Sequence, residues 1–106
     1  MPYINSEERP SVDVALAILR EAITHSAKDQ HKVCGVMNYA ITNLLQVIPN
    51  VKNEGRWNYD SINSSIGVLE ACKLEFYRRL ASPYEDRCID KSGDVEIYDS
   101  FVRGRS

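Results

Sequence analysis

A long amphipathic pattern in the second half of the sequence constrains the fold more than any other feature. Its apolar residues recur between Asp60 and Pro83, and at 100° per residue they lie within about 40° of one line along a helix. They are Ile62, Ile66, Leu69, Phe76 and Leu80. Asp60 or Ser61 is placed to cap the N-terminus, and Pro83 is expected to end the helix after Ala81. We therefore predict one long helix here.

Two further helical patterns precede this one. The first begins at Ser11, which we expect to be its N-cap, and ends in a polar turn within residues 25–32. The second runs from Val33 to Ile48 and is expected to stop at Pro49. The apolar stripes comprise Val12, Ala15, Leu16, Leu19, Ala22 and Ile23 in the first helix, and Val33, Met37, Ala40, Ile41, Leu44, Leu45 and Ile48 in the second. Such stripes are typical of helices that bury one face.

The C-terminal region carries the pattern of a β-hairpin. Residues 87–90 and 95–98 flank a turn that contains Gly93, and Tyr3-Ile4 is a candidate third strand. The chain has 106 residues, which is the length of one domain. The predicted fold class is therefore α+β, mainly α, with three helices, the last one long, and a C-terminal hairpin at about 87–98. One domain is predicted over residues 1–106.

The irregular segment 49–59 separates the second and third helices. Within it, Asn53-Glu54-Gly55 reads as a tight turn, because glycine tolerates the positive φ that such turns often need. We expect Trp57, just after this turn, to fold back over the core; a ligand or partner contact is the alternative.

Charge and cysteine content narrow the class of protein. Thirteen Lys and Arg against fifteen Asp and Glu give a net charge of −2, which argues against a nucleic-acid-binding arm. No apolar run approaches the roughly 20 residues of a membrane-spanning helix, and the N-terminus lacks the pattern of a secretory signal. The cysteines, Cys34, Cys72 and Cys88, form no CxxC pair; the first two are expected to be buried structural thiols, with metal or redox chemistry as alternatives. We predict a cytoplasmic protein with no nucleic-acid or membrane partner.

Lys73 lies inside the apolar stripe of the long helix, where an unpaired ammonium would be costly to bury. Glu70, one turn earlier, is within reach. Three interpretations stay open. The lysine stem covers apolar surface while its head meets water or Glu70, the pair lies at a subunit interface, or Lys73 serves a ligand or a reaction.

Several polar side chains on these helices are candidates for ligand binding or for an interface. They are Asn38, Asn63, Glu70, Lys73, Tyr77 and Arg78. The spacing of acidic residues and histidines matches no metal site, and no glycine-rich loop precedes a helix N-terminus as phosphate binding would require. The sequence therefore predicts no metal, no cofactor and no catalytic set.

Much of the chain resembles one protein family. The matching segments are Met1–Ile4, Gly35–Thr42, Ile62–Arg79, Pro83–Asp86 and Ser92–Val95. They resemble an uncharacterised, domain-of-unknown-function family of short proteins from phages, prophages and scattered bacteria and archaea. Cys88 stands where the resemblance leads us to expect Lys, and Ser92 where we expect Asn. The resemblance implies a phage or mobile-element setting, in which small proteins often inhibit or bind host molecules, and implies no particular activity.

These observations favour a non-enzymatic, helical, homo-oligomeric interaction protein. The long helix has two contact faces, and a two-fold dimer is the commonest oligomer. A host protein is a further candidate partner. The alternative is a binder of a nucleotide or other small anionic ligand that uses Lys73, Glu70, Tyr77 and Arg78, beside Asn38. An enzyme with Glu70 as base would need a cleft and a perturbed pKa.

Overall fold

A computed structural model of the chain describes residues 3–102, and within them every regular element is a helix. The α-helices are α1 (Arg9–Ser26), α2 (Val33–Leu44), α3 (Val47–Lys52), α4 (Tyr59–Phe76), α5 (Ser82–Ser92) and α6 (Glu96–Val102). A 3-10 turn, Ser6–Glu8, precedes α1, and a π-helical segment, Tyr77–Ala81, joins α4 to α5. The described part of the chain contains no β-strand, so the predicted α+β class is wrong.

The chain divides into two compact units, residues 1–68 and 69–106, which are described separately. The prediction of one domain stays a prediction. In the first unit, α1 packs against α2 as a helical hairpin whose connection is residues 27–32. The Ala27 N–H ends α1 by donating to the Ile23 carbonyl at 2.8 Å. The Asp29 carboxylate then accepts the His31 N–H at 2.9 Å, which confirms the predicted polar turn.

The start of α1 differs from the prediction. The helix begins at Arg9, so Ser11 lies inside it and is not the N-cap. Pro10 occupies the first turn, where its missing N–H would have no intrahelical acceptor. Tyr3 and Ile4 form no strand; the Ile4 carbonyl accepts the Arg9 Nε–H at 3.2 Å instead.

The second predicted helix is two helices in the structure. The first of them, α2, ends at Leu44, and α3 begins at Val47 and contains Pro49 in its first turn. The prediction that Pro49 ends a helix is therefore wrong, because a proline in the first turn loses no hydrogen bond.

The predicted tight turn at residues 53–55 is confirmed. Glu54 and Gly55 both have positive φ, at 53° and 83°. The Pro49 carbonyl accepts the N–H groups of Asn53 and Gly55 at 2.8 and 2.9 Å, which closes α3 against the turn. Trp57, which follows, is 45% exposed.

A reciprocal pair of hydrogen bonds fixes the N-terminus of α4. The Ser61 N–H donates to the Asn58 side chain at 2.9 Å, and the Asn58 N–H donates to the Ser61 hydroxyl at 3.0 Å. This is the geometry of a capping box. Asn58 is thus the cap, not Asp60 or Ser61 as predicted, and Ser61 is fully buried beneath it. Lys52, at the end of α3, pairs with Asp60 at 3.0 Å.

In the second unit, Pro83 does not end the long helix. The chain continues through Tyr77–Ala81 into α5, with Pro83 in the first turn of α5. A proline inside a continuous helix removes one hydrogen bond and clashes with the preceding turn, and a widened π-helical turn is a known way to absorb such a disruption.

The predicted C-terminal hairpin is wrong. Residues 87–92 belong to α5 and residues 96–98 to α6. Gly93 lies between the two helices at φ 89° and ψ 156°, and its N–H donates to the Ile89 carbonyl at 2.7 Å. Glycine is common both in hairpin turns and just after helix C-termini, so the same residue fits either structure. Here it ends a helix.

Candidate interaction site

Few side chains are buried within the two units. Among residues 3–102, the buried ones are Ala27, Pro49, Ser61 and Ser65. The apolar stripes of α1, α2 and α4 are therefore largely open to solvent. The predicted burial of their apolar faces is therefore incomplete.

The α1–α2 hairpin opens an apolar groove of about 400 Å³. We call it the α1–α2 groove. It is lined by Leu16, Leu19, Arg20, Ile23, Thr24, Ala27, Val33, Met37, Ala40, Ile41 and Leu44. Arg20 and Thr24 are its polar lining residues, and Thr24 already donates its hydroxyl to the Arg20 carbonyl at 2.7 Å. The groove follows directly from the two stripes read in the sequence, which face the same side of the hairpin.

The α2 wall of this groove and the residues that follow α2, up to residue 51, carry no charged side chains. Residues 33–51, which include all of α2, contain no Asp, Glu, Lys or Arg. Tyr39, on the side of α2 away from the groove, is nevertheless 73% exposed. Depletion of charge together with exposed aromatic and methionine side chains is the composition of a protein interface.

The structure places Glu70 and Lys73 in contact, as the sequence predicts. The Lys73 Nζ lies 3.4 Å from the Glu70 Oε1, and the two side chains are 74% and 53% exposed. The lysine head therefore meets water and Glu70, which corresponds to the first of the three interpretations. An interface role for the pair stays a prediction.

The π-helical segment carries three further contacts. Arg78 donates to the Glu75 carboxylate at 2.8 Å, and Arg79 lies 3.9 Å from the same oxygen. The Tyr77 hydroxyl donates to the Glu85 carboxylate at 3.3 Å. The negative charge of Glu85 and this hydrogen bond raise the pKa of Tyr77 above its ordinary value.

The predicted site residues do not form one cluster. Asn38 and Asn63 lie in the first unit, exposed, and neither side chain has a hydrogen-bond partner within residues 3–102. In the second unit, Lys73, Arg78 and Tyr77 each contact an acidic residue of the same unit. Because Lys73 and Arg78 already have acidic partners, these contacts do not add support to the binding of an anionic ligand. That alternative stays a prediction.

The predicted stripes contain the apolar side chains of the groove apart from Ala27, but they were expected to be buried against a neighbouring element. The signals that point to an interface instead are the absence of charge over residues 33–51 and the width of the stripes. The expectation of buried cysteines is also wrong, since Cys34, Cys72 and Cys88 are all free and exposed. Within the described residues, no three His, Cys, Asp or Glu side chains converge as metal ligands would. None of the described helices combines the length and apolar character needed to cross a membrane.

Over residues 3–102, the fold and site together define a helical protein with an open apolar groove on a helical hairpin. Residues 1–95 match the family described as Domain of unknown function (DUF6899), and the chain belongs to this family. The resemblance to an uncharacterised family is thereby confirmed. No curated protein and no solved structure matches the chain.

Proposed function

We propose that this protein is a non-enzymatic, helical, homo-oligomeric interaction module, most simply a dimer, in which a second copy covers apolar surface that the single chain leaves open. The accessible surface of the chain carries the proposal. It measures 9301 Å², whereas a compact folded monomer of 12.1 kDa has about 6,000 Å². The excess is about 3,300 Å² per chain.

A typical contact between two units of one chain buries less area than this excess. An interface between two units of one chain buries about 600–1,500 Å² in total. The upper value would leave about 1,800 Å² per chain. Obligate homodimers bury about 2,000–5,000 Å² in total, or about half of that per subunit. The remaining area therefore fits one obligate partner of similar size.

The chemistry of the surface supports binding more than catalysis. The open surface of the α1–α2 hairpin is apolar, and its hydroxyl group, on Thr24, is committed to a backbone carbonyl. The charged side chains of α4 and the π-helical segment pair with neighbours on the protein surface. An apolar groove without an ionisable pair suits burial of another protein surface.

The proposal extends to the setting in which the protein acts. Three exposed, unpaired cysteines fit the reducing cytoplasm, because oxidising compartments favour disulfides. The family resemblance adds a phage or mobile-element context, in which the assembled protein would bind a host molecule.

Analytical ultracentrifugation of the full chain over a concentration series from the micromolar range upward tests the proposal. We expect a dimer or a higher closed oligomer, with no change in mass above a threshold concentration. A protein that sediments as a monomer over the whole range, with helical circular dichroism intact, would contradict it.

A further inference from the structure

The two helices that line the α1–α2 groove share a heptad spacing. Apolar residues of both helices recur at intervals of four and three positions: Val12, Leu16, Leu19 and Ile23 in α1, and Val33, Met37, Ala40 and Leu44 in α2. All of them except Val12 line the groove. An average interval of 3.5 residues keeps an apolar seam facing a neighbour in left-handed coiled coils and four-helix bundles. The spacing therefore points to a helical partner and away from a small ligand.

The apolar stripes are wider than one neighbouring helix can cover. Ala15 and Ala22 flank the seam on α1, and Ile41 in α2 and Leu45, the C-cap of α2, flank it on the other side of the hairpin. A stripe of about three positions per heptad is typical of a helix that contacts two others in a bundle. After α1 and α2 have packed on each other, Leu16 is still 46% exposed. Part of the seam is therefore open to contact with further helices.

Two charged residues at the edge of the seam indicate which helices complete it. Asp13 and Arg20 are one heptad apart, so they occupy the same edge of α1. Within residues 3–102 neither side chain has an ion-pair partner. Consider two antiparallel copies of α1 related by a two-fold axis perpendicular to the helices. This edge of one copy then faces the same edge of the other copy, which runs in the opposite direction. With the axis between Leu16 and Ala17, Asp13 lies beside Arg20 of the partner subunit, and the pair occurs twice.

We propose that the α1–α2 hairpins of two copies pack groove to groove into a four-helix bundle, with antiparallel α1 helices joined by the two Asp13–Arg20 pairs. This inference rests on the proposed homo-oligomer and names its interface. The occupant of the groove is a second copy because one edge of α1 carries both an acid, Asp13, and a base, Arg20, and therefore complements the same edge of an antiparallel copy. A two-fold arrangement is also the simplest that closes without leaving the other groove open.

Charge exchange at these two positions tests the pairing. Arg20→Glu sets an acid beside Asp13 of the partner subunit at both symmetry-related contacts, and Asp13→Arg sets a base beside Arg20. Each single variant is expected to raise the dimer dissociation constant about tenfold or more. The double variant, Asp13→Arg with Arg20→Glu, restores opposite charges and is expected to return the constant to near the original value.

Glu21→Arg is the matched control, because Glu21 is adjacent to Arg20 but lies on the outer side of α1. It reverses one charge on the same helix and should leave dimerisation unchanged. Circular dichroism of every variant verifies that the helices are retained. A double variant as weak as the single ones would overturn the pairing, and so would a dimer insensitive to Arg20→Glu.

A second pair of variants tests the groove without relying on charge pairing. Met37→Lys places a charge in the groove and is expected to yield monomers at concentrations where the original chain is dimeric. Ile97→Lys, on exposed α6, places the same charge outside the groove. Equal effects of the two variants would overturn the groove as the interface. If the original chain is dimeric and only this test fails, the proposed interface is wrong but the homo-oligomer is not contradicted. If the original chain is monomeric, both the homo-oligomer and its proposed interface are wrong.

Discussion

Single residues on α4 and the π-helical segment find their partners close in sequence. Glu70 and Lys73 are three residues apart, as are Glu75 and Arg78. Neighbours at this spacing share a face of a helix, which is why the sequence predicts the pair at Lys73. Most of these side chains are well exposed, and exposed ion pairs contribute about 0–1 kcal/mol. Their role is to orient side chains more than to hold the fold together.

Tyr77 is the residue whose environment is testable by titration. The Glu85 carboxylate raises the pKa of Tyr77 by repelling the phenolate and by accepting the hydrogen bond of the neutral phenol. Glu85→Gln removes the charge and should lower the pKa of Tyr77 towards its ordinary value. The difference in ultraviolet phenolate absorbance between each protein and its Tyr77→Phe variant isolates this one tyrosine among six.

The same shift gives the pH dependence a definite sign. Because the pKa of Tyr77 is raised in the folded chain, its contribution to stability is fully present below the ordinary tyrosine pKa of about 10 and is lost as the pH rises through the raised value. Glu96→Gln, which removes a carboxylate in α6, is the control and should leave the titration of Tyr77 unchanged. An equal shift in both variants would contradict the contact.

At the scale of the elements, the sequence indicates where helices lie better than where they end. The apolar stripes predict α1, α2 and most of α4, because a stripe of many residues averages over local exceptions. The ends of a helix depend on one or two residues, and a residue type such as proline is compatible with more than one position relative to a helix. Pro49 and Pro83 were expected to stop helices, and each lies in the first turn of one, where a proline is equally well accommodated.

Gly93 shows the same ambiguity and permits a direct test of the corrected fold. At φ 89° and ψ 156° its backbone occupies a region open essentially to glycine alone. Nothing lies within 4 Å of an added Cβ, so the cost of a side chain there is one of backbone conformation. Gly93→Ala should destabilise the second unit by about 1–3 kcal/mol, measured by chemical denaturation at fixed protein concentration.

Gly67→Ala is the matched control for this substitution. It adds the same methyl group, also with nothing within 4 Å, but at a helical position inside α4. Replacing a helical glycine by alanine stabilises by about 0.5–1 kcal/mol. If the two variants shift stability in the same direction, the glycine-specific junction between α5 and α6 is not present.

At the scale of the whole molecule, the candidate site was less predictable from the sequence than the positions of the helices. A sequence pattern shows which face of a helix is apolar, but not what covers that face. The stripe of α2 reads identically for a closed core and for an open groove, and the distinction depends on whether another element of the same chain packs there. Met37, for example, is 43% exposed although its position in the stripe is that of a core residue.

If a second copy covers this surface, stability must depend on protein concentration. Association lowers the free energy of the folded state only, so the thermal midpoint rises with total protein by mass action. We expect an increase of a few degrees for each tenfold increase in concentration, measured by differential scanning calorimetry or circular dichroism. A midpoint that stays constant over a hundredfold range would contradict an obligate oligomer.

The charge-free segment 33–51 links assembly to the lifetime of the protein in the cell. If a second copy covers this segment, a newly made chain exposes most of it until the two copies meet, and chains with open apolar surface are the ones that chaperones hold and proteases degrade. At low expression, single chains would be removed faster than they pair, whereas at high expression pairing would outrun removal. The amount of protein would then rise more steeply than its rate of synthesis, so that the level of expression acts as a threshold.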